Sequence, residues 1–207
     1  MIIPKLKKID IALKPSRIEA LTDGVFAIAM TLLVLNFDIQ EPAERLSTLS
    51  LSAELLNLWP HFLHYVISFI ILSSFWLSHH YHFHFIKHVD RNLIYLNIFK
   101  LMFICFIPFS TSLVGDFPLS LTAALIFEVN MLIAGLLSYW QWGYATKNHR
   151  LVEKDLEEHI IAISKQTDLV IPAISAVAIV FSIFLPHWGT RLYILIPLIL
   201  LFFRKNA

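Results

Sequence analysis

Charge is scarce in this chain: Asp, Glu, Lys and Arg together supply 15% of its 207 residues, against about 25% in soluble domains. The net charge of +1 says nothing about nucleic acid, and with no basic stripe interleaved with aromatics, no nucleic-acid partner is expected. Cysteine is almost absent. Cys105 stands alone inside an apolar run, so no intrachain disulfide can form and the redox compartment goes unread. No Walker motif and no nucleophile–base constellation occurs, so neither nucleotide-driven work nor covalent catalysis is expected, and no cofactor is called for. No small-residue cleavage site follows the first apolar block, which reads as a retained span and not as a signal peptide.

What the chain has is apolar surface. Hydrophobic residues make up 57% of it, the mean hydropathy is +0.70, and the excess is gathered into long blocks. An all-α integral membrane protein follows. At about 20 apolar residues per crossing, six spans are expected, near Ile18–Phe37, Leu58–Leu77, Leu93–Val114, Leu119–Trp140, Leu169–Leu185 and Trp188–Phe203. Residues 1–17 then form an N-terminal segment, 18–203 the six-helix membrane domain, and 204–207 a tail. The last two spans are short and separated by the turn signal Pro186 to Gly189, so one long kinked element competes with two. Between the first two spans, Leu49, Leu51, Leu55 and Leu56 suggest a short interfacial helix.

Basic residues set the orientation. With both termini cytoplasmic, the inner segments hold Lys5, Lys7, Lys8, Lys14, Arg17, Lys87, Arg91, Lys147, Arg150, Lys154, Lys165, Arg204 and Lys205, and the outer ones only Arg45 and Arg191. That asymmetry obeys the positive-inside rule and supports an even number of crossings.

The first span carries the strongest signal. Arg17 and Asp23 stand at its mouth, and charge in a span usually marks function. Wound as a helix, Ile28, Thr31, Leu32 and Leu35 fall on one stripe. Ala20, Gly24, Ala27 and Thr31 form an adjoining strip of small residues that permits close helix approach. The combination suggests a helix that packs against its own copies around an axis and presents apolar side chains to it. One chain supplies one such helix, so a closed ring of identical subunits is implied. Thr31 has two possible roles: bonding a carbonyl one turn back, or joining a ring of hydroxyls that partly replaces water around a passing cation.

Asp23 lies away from the Ile28 stripe, so it should face its own subunit and need a partner. The best donors lie in the run Trp76 to His80 at the inner end of the second span, giving a polar clasp on the first helix. The histidines from His79 to His88 also raise a metal site, since His80, His84 and His88 share a helical face. No second histidine cluster or carboxylate pair stands ready to complete it, and no metal is assigned. Lys100 is expected to snorkel to the inner surface. Glu128, deeper, should hydrogen-bond within the bundle, and a Lys100–Glu128 pair is conceivable.

Arg17, followed by Leu21, Thr22, Asp23 and Gly24 and then Ala27 and Ile28, resembles the Arg-x-x-x-Phe-Ser-Asp signature of the transmembrane protein 175 family of potassium channels. Phe75, Trp76, His79 and His80, then Asp90, Arg91, Leu93, Leu96 and Asn97, then Ile107, Pro108 and Phe109 look like that family's second and third spans. Leu21 and Thr22 stand where Phe and Ser are usual; Thr keeps the hydroxyl, and Leu removes an aromatic contact. The resemblance implies a homotetramer of six-span subunits in the single-repeat, prokaryotic form, with the first helix lining the pore. It maps the apolar constriction onto Ile28, Leu32 and Leu35 and the selectivity-associated threonine onto Thr31. The polar network maps onto Arg17, Asp23, Trp76 and either His79 or His80. Like the family, this chain lacks the Thr-Val-Gly-Tyr-Gly filter.

The expectation is therefore a potassium channel of the prokaryotic plasma membrane, a multi-pass homotetramer passing K+ and related monovalent cations down their gradient through a hydrophobic gate, with K+ transiently near Ile28 and Thr31. Its alternatives are a proton-coupled transporter using Asp23 or Glu128, or a membrane metalloenzyme using the histidine cluster.

Overall fold

The computed structural model describes residues 14–37 and 48–205. The segment through residue 13, the 38–47 stretch with Pro42 and Arg45, and the last two residues of the expected tail lie outside the described residues. Helix α1 spans Pro15–Leu32 and runs into a 3-10 turn, Leu33–Asn36; α2 is Thr48–Asn57, α3 Trp59–Phe85, α4 Arg91–Asp116 and α5 Leu121–Thr146. A 3-10 turn, Lys147–His149, leads to α6, Glu158–Asp168; then come α7, Val170–Phe184, the single turn α8, Pro186–Gly189, a 3-10 stretch Thr190–Ile194, and α9, Leu195–Lys205. Among the described residues the only extended pairing is an isolated bridge between Ile86 and Val152.

Among the described residues, five helical stretches are long and apolar enough to cross a membrane: Pro15–Asn36, Trp59–Phe85, Arg91–Asp116, Leu121–His149 and Glu158–Phe184; the apolar helix Thr190–Leu201 is shorter. They outrun the apolar blocks because caps and polar turns extend the helices beyond them. Pro15 opens α1, where its missing N–H costs nothing. The Asp90 carboxylate accepts from the Leu93 N–H at 2.9 Å and caps α4. α3 continues beyond Leu77 through the histidines, and α6 adds a polar turn ahead of the apolar α7.

The last two apolar segments are separate elements. At Leu185 the backbone leaves the helix (φ −141°, ψ 79°), and α9 comes back to touch α6 as well as α7, which a continuous kinked rod could not do. The expected helix around Leu51, Leu55 and Leu56 is present as α2, with those three side chains exposed.

Two apolar cores tie the bundle. The larger joins Phe26, Ala29 and Leu33 of the first helical stretch to Ile67, Ile71, Leu72 and Phe75 of α3, Ile104 and Ile107 of α4 and Phe127, Met131 and Ala134 of α5. The smaller gathers Ile18, Phe83, Leu93, Trp142 and Ile161 where α1, α4 and α6 begin and α3 and α5 end. There the chain after α5 docks on the end of α3: the Lys87 N–H donates to the Leu151 carbonyl at 2.9 Å, and Lys87 pairs with Glu153 at 2.5 Å. Helices α5 and α7 meet at Gly135, where an added Cβ would lie 2.6 Å from the Pro172 ring.

Candidate functional site

The first helix has one committed face and one open face. Ile18, Thr22, Phe26, Ala29 and Leu33 are buried inside the bundle. Ile28 is 61% exposed, Leu32 41% and Leu35 72%, and Thr31, Ala20, Gly24 and Ala27 are exposed beside them. The expected stripe and the expected small-residue strip thus form one continuous surface that none of the described residues covers. At Gly24 nothing lies within 4 Å of an added Cβ. The Thr31 hydroxyl donates to the Ile28 carbonyl at 2.8 Å, so its proton is engaged while its lone pairs remain outward.

Asp23 is held by an indole. Trp76 Nε1 donates to Asp23 Oδ1 at 2.9 Å, and His80 stacks on the Trp76 ring at 5.8 Å. The expectation that His79 or His80 pairs with this carboxylate is corrected. His80 supports the indole from outside, and His79, three residues after Trp76, turns towards α4 and is 1% exposed. Arg17 is exposed and finds no side-chain partner among the described residues.

A second polar connection lies deeper and was not anticipated. Asn97 Nδ2 donates to the buried Thr22 hydroxyl at 3.0 Å, Gln141 Nε2 donates to Asn97 Oδ1 at 3.0 Å, and Lys100 Nζ donates to Gln141 Oε1 at 2.6 Å. His79 Nδ1 lies 3.3 Å from the same ammonium. Four helices are joined in this way. Lys100 does not snorkel: it is 2% exposed, because α3 and α5 supply acceptors around it and Asp168 supplies a counter-charge. Asp168 accepts from the Ser78 hydroxyl at 2.5 Å and lies 3.4 Å from His82 Nε2, and His82 stacks flat on Trp142 at 4.3 Å. The sequence signal was available in Asn97, Lys100 and Gln141, three polar residues interrupting otherwise apolar helices.

The Lys100–Glu128 pair is also corrected. Glu128 precedes Gln141 by thirteen residues on α5, about 20 Å along the axis at 1.5 Å per residue. Its buried carboxyl instead takes a hydrogen bond from Ser182 of α7 at 2.5 Å. The face shared by His80, His84 and His88 is corrected as well. Helix α3 ends at Phe85, so His88 falls outside it, and among the described residues no three His, Cys, Asp or Glu side chains come together.

The geometry therefore centres on α1, α3 and α4, and residues 17–108 match the family described as the endosomal/lysosomal potassium channel TMEM175. A protein of Chamaesiphon minutus named as a potassium channel is 36% identical over 155 residues, covering 72% of this chain and 75% of the relative. The chain belongs to the TMEM175 family. A Streptomyces collinus protein, also named as a potassium channel, is 32% identical over 143 residues, covering 66% of this chain and 67% of that one. The crystal structure of a lysosomal potassium-selective channel TMEM175 homolog from Chamaesiphon minutus superposes with a TM-score of 0.77 at 28% identity, covering 93% of this chain and 98% of that one. Within the TMEM175 match fall the open face of α1, the Trp76–Asp23 bond and the Thr22–Asn97 bond. Gln141 and Asp168, which complete the inner connection around Lys100, lie beyond it.

Proposed function

We propose that this chain is one subunit of a potassium-permeable channel in which four copies set α1 around a common axis. The observation that carries the reading is the uncovered face of α1 on a chain whose relatives bear the name potassium channel. An apolar stripe left open beside a strip of Ala, Gly and Thr suits a helix that packs against its own copies. Ile28, Leu32 and Leu35 then ring the axis and act as a hydrophobic gate. The Thr31 hydroxyl, its proton given to the Ile28 carbonyl, offers oxygen lone pairs to a partly dehydrated cation. Conduction of K+ and related monovalent ions follows the electrochemical gradient, and no chemical step is involved.

Thr190–Leu201 serves as the sixth crossing, running back beside α7, and both termini face the cytoplasm of a prokaryotic cell. This placement puts the numerous basic residues at the start of α1, around the α3–α4 and α5–α6 connections and at the chain end on one side. The bonds from Trp76 and Asn97 grip two faces of the same turn of α1, at Asp23 and the adjacent Thr22, so the gate residues keep their rotation about the helix axis.

The test is potassium flux into liposomes containing the purified protein, with Ile28→Asn beside the wild type. A polar ring wets the constriction, and flux should rise several-fold with less discrimination between K+ and Na+. Intact tetramers that pass no potassium in either form would overturn the reading.

A further inference from the structure

Beyond Leu32 the first helical stretch changes its winding. Leu33–Asn36 is a 3-10 turn, closed by the Phe37 N–H on the Val34 carbonyl at 3.3 Å. At three residues per turn, side chains three apart eclipse one another. Asn36 therefore stands over the buried Leu33, and Leu35 stands over Leu32 on the open face. An α-helical continuation would set Leu35 about 60° round the axis from Leu32 and about 1.5 Å lower.

Two contacts hold this turn. Asn36 Nδ2 donates to the Pro108 carbonyl of α4 at 3.1 Å; a carbonyl oxygen has two lone pairs, so it can take this bond beside a helical one. Phe37, where the chain leaves the turn (φ −86°, ψ 106°), meets Tyr65 of α3 edge-on with ring centroids 5.4 Å apart. The far end of the stretch is thus bound to α4 and α3, as the near end is through Thr22 to Asn97 and Asp23 to Trp76. Ile28, Thr31 and Leu32 lie between the two grips, and Leu35 lies inside the second. Leu35 is 72% exposed, so its own packing does not fix it. The winding of the backbone beneath it does.

We propose that Asn36 is a positioning residue for ion selection, holding Leu35 over Leu32 through its bond to the Pro108 carbonyl. The role rests on the conduction path proposed along α1. Asn36 touches no permeating ion and acts through Leu35 alone. A ring of side chains sorts ions by size only while its atoms are held in place, so a loosened turn admits larger cations whichever way it rewinds.

The test compares K+ and methylammonium flux into liposomes for the full chain, Asn36→Leu and Asn36→Gln, with amide hydrogen exchange on the same proteins. Asn36→Leu keeps the side-chain bulk and loses the donor. Its methylammonium-to-K+ flux ratio should rise several-fold, and exchange from Val34 to Phe37 should quicken while the amides around Thr22 stay protected. Asn36→Gln retains an amide donor and should stay nearer the wild type than Leu in both readouts. On a Leu35→Ala background, Asn36→Leu should leave the ratio where Leu35→Ala alone puts it, because the ring it positions is gone. Should Asn36→Leu fail to fold, Asn36→Ala removes the same donor and carries the same expectation. A conducting wild type with an unchanged ratio or unchanged exchange in Asn36→Leu overturns the role and leaves the conduction reading standing. Equal ratios for Leu and Gln, or a rise that persists undiminished on Leu35→Ala, do the same. A folded wild type that passes no K+ overturns both.

Discussion

The side-chain amide of Asn97 donates to the hydroxyl of Thr22 at 3.0 Å, and neither residue is more than 1% exposed. This bond ties the first helix to α4 in the buried interior, so each partner depends on the other. Thr22→Val removes the acceptor while keeping the shape, and leaves a buried N–H unsatisfied at a cost of about 1–3 kcal/mol. Thr22→Ser keeps the oxygen and loses one methyl, at a cost near 1 kcal/mol. Thermal unfolding of the two variants in detergent should rank Val well below Ser. The reverse order would mean that the methyl contacts, and not the hydrogen bond, hold α1 in place.

Trp76 Nε1 reaches Asp23 at 2.9 Å from the neighbouring helix, but this carboxylate is exposed in the subunit. Water can replace a lost donor there, so Trp76→Phe should cost only about 1 kcal/mol of stability. Its effect should be felt in the angle of α1, because the ring remains to stack on His80 while its tether to Asp23 is gone. Potassium flux should change by more than thermal stability does. Unchanged flux alongside a large fall in melting temperature would reject the clasp.

Much of this arrangement was legible because it is local to one helix. The open and buried faces of α1 follow from the spacing of Ile28, Thr31, Leu32 and Leu35 against Phe26, Ala29 and Leu33, and a spacing argument needs no second element. The donor for Asp23 was confined to the right turn of α3, although the indole and not a histidine supplies the N–H. Lys100 was misread for a different reason. Whether an ammonium snorkels depends on what surrounds it, and its partner Gln141 comes from 41 residues away on another helix. The histidine stripe failed at a tertiary contact too: α3 stops where Ile86 pairs with Val152, and nothing in the periodicity of His80, His84 and His88 marks that stop.

Gln141→Leu tests the interior ammonium. It strips Lys100 of its shortest contact, 2.6 Å, and leaves a buried charge with fewer partners, which should destabilise the fold by about 1.5–3 kcal/mol. Lys100→Met in the same chain removes the charge, so the double variant should recover a substantial part of that loss. A double-mutant cycle on thermal unfolding reads the coupling directly. Additive losses would show that Lys100 and Gln141 contribute independently.

Two glycines separate packing within the chain from the packing between copies proposed for α1. At Gly135 an alanine Cβ would lie 2.6 Å from the Pro172 Cδ and Cγ atoms, and a proline ring cannot swing aside. Helices α5 and α7 must move apart, so Gly135→Ala should lower subunit stability by about 1–3 kcal/mol. At Gly24 an added Cβ meets nothing within 4 Å in the subunit, and replacing a helical glycine with alanine should even favour the helix by up to about 1 kcal/mol. If α1 packs against its own copies through the strip of Ala20, Gly24, Ala27 and Thr31, that same methyl intrudes on a neighbour. Gly24→Ala should then shift native mass spectra from tetramer towards smaller species while the secondary structure of the subunit stays intact. A variant that remains fully tetrameric, with potassium flux unaltered, would remove Gly24 from the subunit interface and place the contact between copies elsewhere on α1.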